Sequence, residues 1–258
     1  MGLFLERRLK YTMAGLWKWK LFVTFLTLSI LFSICYYTPL FTHLLQSIDS
    51  TVFQKIHLLT HKSSYIQTFL LLASHPHSHT LFFILGIGFW LINVKNHPKH
   101  LQIHKLSEIV YSIAVLFFTV FFINKLLLQN SLHFERLGPK FTNPISQLLQ
   151  EVTNFIHRKK TISHTYPGYF STIVVGYMCI SMIDLGFRKG LIAFIGSLYF
   201  LLPALFLGTY GICDLVLGTT SVMFMSIAIF FYTPIYYRMT SALTHLIEKL
   251  LKTHQKSA

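Results

Sequence analysis

At 258 residues, the chain is 53% hydrophobic with only 12% charged positions, about half the ~25% usual in a soluble domain, which argues against a water-soluble globule. Its mean hydropathy is +0.56. The formal net charge of +14 comes without a long soluble basic face or a nucleic-acid-binding motif, so it points to anionic lipid headgroups and not to nucleic acid. Three cysteines, Cys35, Cys179 and Cys213, are odd in number and lack metal-ligand spacing, so neither a disulfide framework nor a zinc site is expected.

Taken in chain order, residues 1–20 form a basic segment holding Arg7, Arg8, Lys10, Lys18 and Lys20. The apolar run that follows, 21–38, is too long for a cleavable signal peptide and has no small-residue cleavage pattern after it. Gly2 lacks the downstream Ser or Thr of a myristoylation signal. Retention as a first span is expected. Residues 39–64 are expected to be an external loop holding Asp49. The second apolar run, 80–94, is short alone and is expected to extend back through 66–73 with a kink near Pro76. His75, His77 and His79 resemble a metal tract if that segment is extended, but no acidic or thiol ligand stands near. No metal is expected.

A third span is predicted at 109–128, then a long polar external loop over 129–165. A fourth runs through 173–185 and reaches spanning length if it starts near Tyr166. Arg188 and Lys189 mark a tight turn before the fifth span, 191–207. A short loop, 208–213, leads to Asp214 and the sixth, 216–234. A bilayer core takes roughly 20 apolar residues per helix. Residues 236–258 form a tail in which Met239, Leu243, Leu246, Ile247, Leu250 and Leu251 share one helical face, as an interfacial amphipathic helix would. With six spans, the clusters 7–20, 95–105, 188–189 and 238–256 all fall on one side, which the positive-inside rule makes cytoplasmic, with both termini there. One membrane domain, 21–235, is expected.

Chemistry is then sought on the opposite, external face. Asp214 opens a helix, where a carboxylate is favoured by the macrodipole, and it can also orient a partner for acid–base work. Asp184, at the cytoplasmic end of its span, is expected to be a solvated charge. Arg136, beside Glu135 and near Lys140, has the planar fork that grips phosphate. Arg158, Lys159 and Lys160 suit headgroups, and His164 stands beside the fourth span.

These residues resemble the type 2 phosphatidic acid phosphatase superfamily, and within it the bacterial lipid A 1-diphosphate synthases. The likeness runs from about Leu31 to Met239. It rests on Ile48, Asp49 and Phe53, on Arg136 followed by Pro139, on Tyr166-Pro167-Gly168, and on Pro203, Gly208, Asp214 and Gly218 in register. It implies an all-α bundle of six spans in the inner membrane, with both termini inside. The site would face the periplasm and take lipid phosphates or diphosphates of the lipid A or undecaprenyl diphosphate class, with no cofactor. It also marks departures. Where the family has its first-motif Lys, nucleophilic His, clamping Arg and second His, this chain has Gln129, Phe170, Ala204 and Tyr210. Phe cannot attack phosphorus, Ala offers no charge, and Tyr is a poor base at neutral pH.

The expectation is therefore a lipid-phosphate-binding relative with impaired turnover, Arg136, Lys140, Arg158, Lys159 and Lys160 contacting phosphate. A catalytic alternative slides 161–165 onto the nucleophile motif and uses His164, Arg136 and Asp214. A third is a transporter or scaffold without phosphate chemistry, possible partner proteins being unnamed by the sequence.

Overall fold

A computed structural model describes residues 18–73, 77–131, 168–206, 208 and 210–257. The elements are helical, with no strand among the described residues. In chain order they are α1 (Trp19–Tyr37), α2 (Pro39–Lys62), α3 (Ser64–Ala73), α4 (His77–Lys95), α5 (Lys99–Phe118), α6 (Tyr169–Asp184), α7 (Phe187–Phe206), α8 (Thr220–Phe231) and α9 (Pro234–Ser257). Two π-helical stretches join this set: Thr119–Ser131 continues α5, and Asp214–Thr219 leads into α8.

Five helical runs among the described residues are long and apolar enough to cross a membrane: Trp19–Tyr37, His77–Lys95, Leu101–Lys125, Phe187–Phe206 and Asp214–Phe231. The second is longer than the apolar run 80–94: the His77–Lys95 helix has 19 residues, and residues 66–73 lie in the helical segment α3 before it. The junction at Pro76 lies outside the described residues. Helix α6, at 16 residues, is apolar but shorter; it starts at Tyr169, not near Tyr166.

The distribution of side chains is that of a bundle in hydrocarbon. Ile30, Ile84, Phe121, Ile192 and Val216 lie exposed on the outside, a surface that water would penalise heavily. Inside sit fully buried hydroxyls: Ser112, Thr119, Ser171, Thr172, Ser221 and Ser226. Each finds an oxygen. Thr119 donates to the Val115 carbonyl (2.8 Å) and to Ser226 Oγ (2.9 Å); Ser29 donates to the Ser221 carbonyl (2.7 Å). Small residues let helices approach closely where no hydrophobic force drives them together. A Cβ on Gly176 would lie 2.3 Å from Leu116 and 2.7 Å from Met223, so α6 meets α5 and α8 there.

The run Asp214–Phe231 is the centre of the bundle, 61% buried against 11% for α1. Helix α1 packs along α8, α6 along α7, and α9 along α5. Arg188, Lys189, Lys95, Lys99 and Arg238 fall at one end, set by the termini of α4, α5, α7 and α9. Lys18 joins them, its Nζ 5.9 Å from the Tyr232 ring.

The expected loop over 39–64 is a 24-residue helix, α2, opened by Pro39 at its first position. Proline is pre-organised there and loses no intrahelical bond. The predicted tail helix is present as α9. Thr244 donates to Ser107 Oγ at 3.1 Å and Leu243 packs on the core, while Met239, Leu246, Leu250 and Leu251 stay exposed. Most of its apolar face is thus left exposed.

Candidate functional site

The end of the bundle opposite the basic residues gathers the turn 208–214 with the last turn of α1, the middle of α2 and the start of α6. Asp214, 1% exposed, is held between elements far apart in sequence. Its Oδ1 accepts the Tyr36 hydroxyl at 2.6 Å, and its Oδ2 accepts the Gly211 N–H at 2.6 Å. Both bonds are charge-assisted and short. Thr219 donates to the Asp214 carbonyl at 3.0 Å, closing the π turn from within.

A second buried carboxylate completes the cluster. Asp49, expected in a loop, sits on α2 and is 4% exposed; its Oδ1 accepts the Cys213 N–H at 2.9 Å. The Cys213 thiol reaches back toward the Leu45 carbonyl at 3.8 Å. Backbone amides of the turn thus feed two carboxylates from opposite sides. The glycines make this geometry feasible. A Cβ on Gly211 would fall 2.3 Å from the Asp49 carboxyl group, and Gly208, at φ +62°, lies under the Phe53 ring.

Tyr210 stands beside the start of α6. A Cβ on Gly168 would lie 2.0 Å from its hydroxyl oxygen, so the phenol occupies the space that glycine leaves. Burial, and then the Asp214 carboxylate, push the Tyr210 phenol up to about 12. It stays protonated across the neutral range. Phe170 stacks on the His79 imidazole, ring centroids 3.8 Å apart, and meets Phe82 edge-on at 5.7 Å. Ala204 lies in α7, its carbonyl accepting the Tyr210 N–H at 3.4 Å.

Gln129 lies in the π-helical stretch after α5. Arg136, Lys140, Arg158, Lys159, Lys160 and His164 lie outside the described residues. The site therefore brings together Gly168, Ala204, Tyr210 and Asp214 of the sequence-derived set. His77 and His79 stand two apart on helix α4 and not on an extended segment, so they point to different faces. Among the described residues no group of three His, Cys, Asp or Glu side chains can hold a metal ion.

Sequence reasoning missed Tyr36 and Asn124. Asn124, 1% exposed, donates to Thr172 Oγ1 at 3.0 Å, and Thr172 donates to the Gly168 carbonyl at 2.9 Å. That relay ties the π stretch to the residue under Tyr210. The available signal was an Asn inside an apolar run, which in a membrane needs a partner.

Asp184 corrects another expectation. It is half-buried, not solvated, and accepts a bond from Ser112 Oγ at 3.3 Å, at the basic end of the bundle.

No protein-family model, curated protein or solved structure matches the chain. Five apolar helices around a hydroxyl-rich interior fit the class of multi-pass helical membrane proteins.

Proposed function

We propose that this protein sits in the bacterial inner membrane and binds a lipid phosphate or diphosphate, of the lipid A or undecaprenyl diphosphate class, at the periplasmic face, with little or no turnover. The ligand would meet the end of the bundle formed by α1, the 208–214 turn and the start of α6. Arg136, Lys140 and Arg158 to Lys160 would supply its positive contacts. The resemblance to the lipid phosphatases motivates the ligand class, and the basic composition supports an anionic one.

The observation that carries the reduced turnover is the bonding of Asp214. Both of its carboxylate oxygens carry a short bond, one from Tyr36 and one from Gly211. In a phosphatase of this kind the corresponding carboxylate holds an imidazole for proton transfer. Here it braces a turn. Phe170 has no lone pair for attack on phosphorus, and Tyr210 keeps its proton at neutral pH.

The test is phosphate release by the purified protein from phosphatidate, undecaprenyl diphosphate and lipid A, beside retention of each lipid through purification. Retention without release is the expected result. Robust release that is lost in His164→Ala or Asp214→Ala would establish the catalytic alternative. Neither retention nor release would leave a membrane scaffold or transporter.

A further inference from the structure

Two cavities lie between α4 and α5 against α6, one of them at the basic end of the bundle, and both have Trp90 in their walls. The inner one, about 210 Å³, is wholly apolar and is lined by residues such as Phe82, Gly86, Phe117 and Ile173. The outer one, about 140 Å³, is lined by Asn93, Lys105, Glu108, Asp184 and Lys189. Along α4 the pair extends from Phe82 to His97, roughly 22 Å at the α-helical rise of ~1.5 Å per residue.

The polar end is built to match a particular charge pattern. It carries two carboxylates and two ammonium groups, so it favours neither an anion nor a cation overall. Lys105 and Glu108 already satisfy each other, Nζ to Oε2 at 2.6 Å. That leaves one group of each sign. Asp184 has only Ser112 at 3.3 Å and no cation within ion-pair distance among the described residues. Lys189 is exposed at the mouth, likewise without an acidic partner among the described residues. Asn93, 5% exposed, bonds the Phe89 carbonyl through one amide atom at 2.8 Å and lines the cavity with the rest of its amide. Lys105 and Lys18 act on Asp184 only from beyond ion-pair distance, and a half-buried carboxylate without a direct partner is costly unless something fills that place.

We propose that this groove holds a phospholipid with a zwitterionic headgroup bearing a primary ammonium, one acyl chain running up the apolar cleft. The ammonium donates to Asp184, the phosphate sits against Lys189, and Asn93 closes the headgroup from below. The exposed rim residues Ile87 and Phe117 place the cleft in contact with the hydrocarbon of the bilayer, from which the chain enters sideways. This site is separate from the Asp214 cluster and holds whether or not that cluster binds phosphate.

Trp90 reports on it directly. The chain has three tryptophans, so Trp17→Phe with Trp19→Phe leaves Trp90 alone. The full chain is reconstituted in phosphatidylcholine vesicles doped with brominated-chain phosphatidylethanolamine, phosphatidylglycerol or phosphatidylcholine, and quenching of Trp90 is measured. Phosphatidylethanolamine is expected to quench with about three- to tenfold higher relative affinity than either other lipid, as loss of a charge-assisted bond implies. Asp184→Asn is expected to abolish that preference, and the exposed Lys189→Gln to weaken quenching by every lipid while leaving the preference in place. Glycerophosphoethanolamine, the headgroup without chains, is expected not to displace the quencher. Equal quenching by all three lipids, a preference for phosphatidylglycerol, displacement by the chain-free headgroup, or an unchanged preference in Asp184→Asn would each overturn the proposal.

Discussion

Each end of the bundle carries a pair of carboxylates, and the two pairs are treated in opposite ways. At the 208–214 end, Asp214 and Asp49 are buried and take their bonds from a tyrosine hydroxyl and from turn amides. These donors are fixed by covalent geometry and by helix packing. At the other end, Glu108 is paired with Lys105, while Asp184 has one long bond and faces a cavity. A carboxylate whose acceptor sites are filled by the protein holds the fold together. One whose sites are left open to a cavity has capacity for something else. Residue type alone does not separate these roles.

The comparison breaks most readily at Asp214. Asp214→Ala strands the Tyr36 hydroxyl and the Gly211 amide in a buried site, and we expect a loss of about 3–5 kcal/mol, read as a collapse of thermal stability in detergent. Tyr36→Phe removes one of those bonds to a buried charge and should cost about 2 kcal/mol. At the opposite end, Asp184→Asn is expected to change stability by less than about 1 kcal/mol, since it removes a half-buried charge that has no cation within ion-pair distance among the described residues. Equal damage from Asp184→Asn and Asp214→Ala would end the distinction. Smallest of all, Lys105→Gln breaks a partly exposed pair, one of a kind that contributes about 0–1 kcal/mol.

Alkaline pH sharpens the first region further. The Tyr210 phenol is raised from 10.0 to about 12 by burial and by Asp214. Below the unfolded value its stabilising contribution is complete. As pH rises from about 10 to about 12 the unfolded chain ionises first, so stability is lost across that window. Tyr210→Phe should remove this part of the alkaline sensitivity in pH-dependent melting, with tyrosinate absorbance as the direct readout.

Hydropathy located the apolar helices well because lipid imposes one dominant constraint. The expected 191–207 and 216–234 correspond to Phe187–Phe206 and the run Asp214–Phe231. The amphipathic tail was legible from its spacing and is α9. Helix α2 was not, because His43, Gln46, Asp49, Gln54 and Lys55 give it the polarity of a loop. Its signals were local, Thr38 followed by Pro39 at the helix start. Asp214 was legible from its place at a helix start. Its partner Tyr36 was hidden inside an apolar run, and only a fold that brings α1 to the central helix gives that hydroxyl a purpose. Asp184 was misjudged because position at a helix end says nothing of the cavity that α4 and α5 build around it.

The pairing of α1 with α8 has a consequence for biogenesis. Tyr36 and Asp214 lie 178 residues apart, and translation delivers them in that order. Over the interval between them α1 waits in the lipid without α8, and Asp49 waits without the amide of Cys213. The contact between α1 and α8 forms only when the segment carrying Asp214 has left the ribosome. A chain interrupted upstream of that segment would present an orphaned acid to the bilayer, a mark that membrane quality control can recognise.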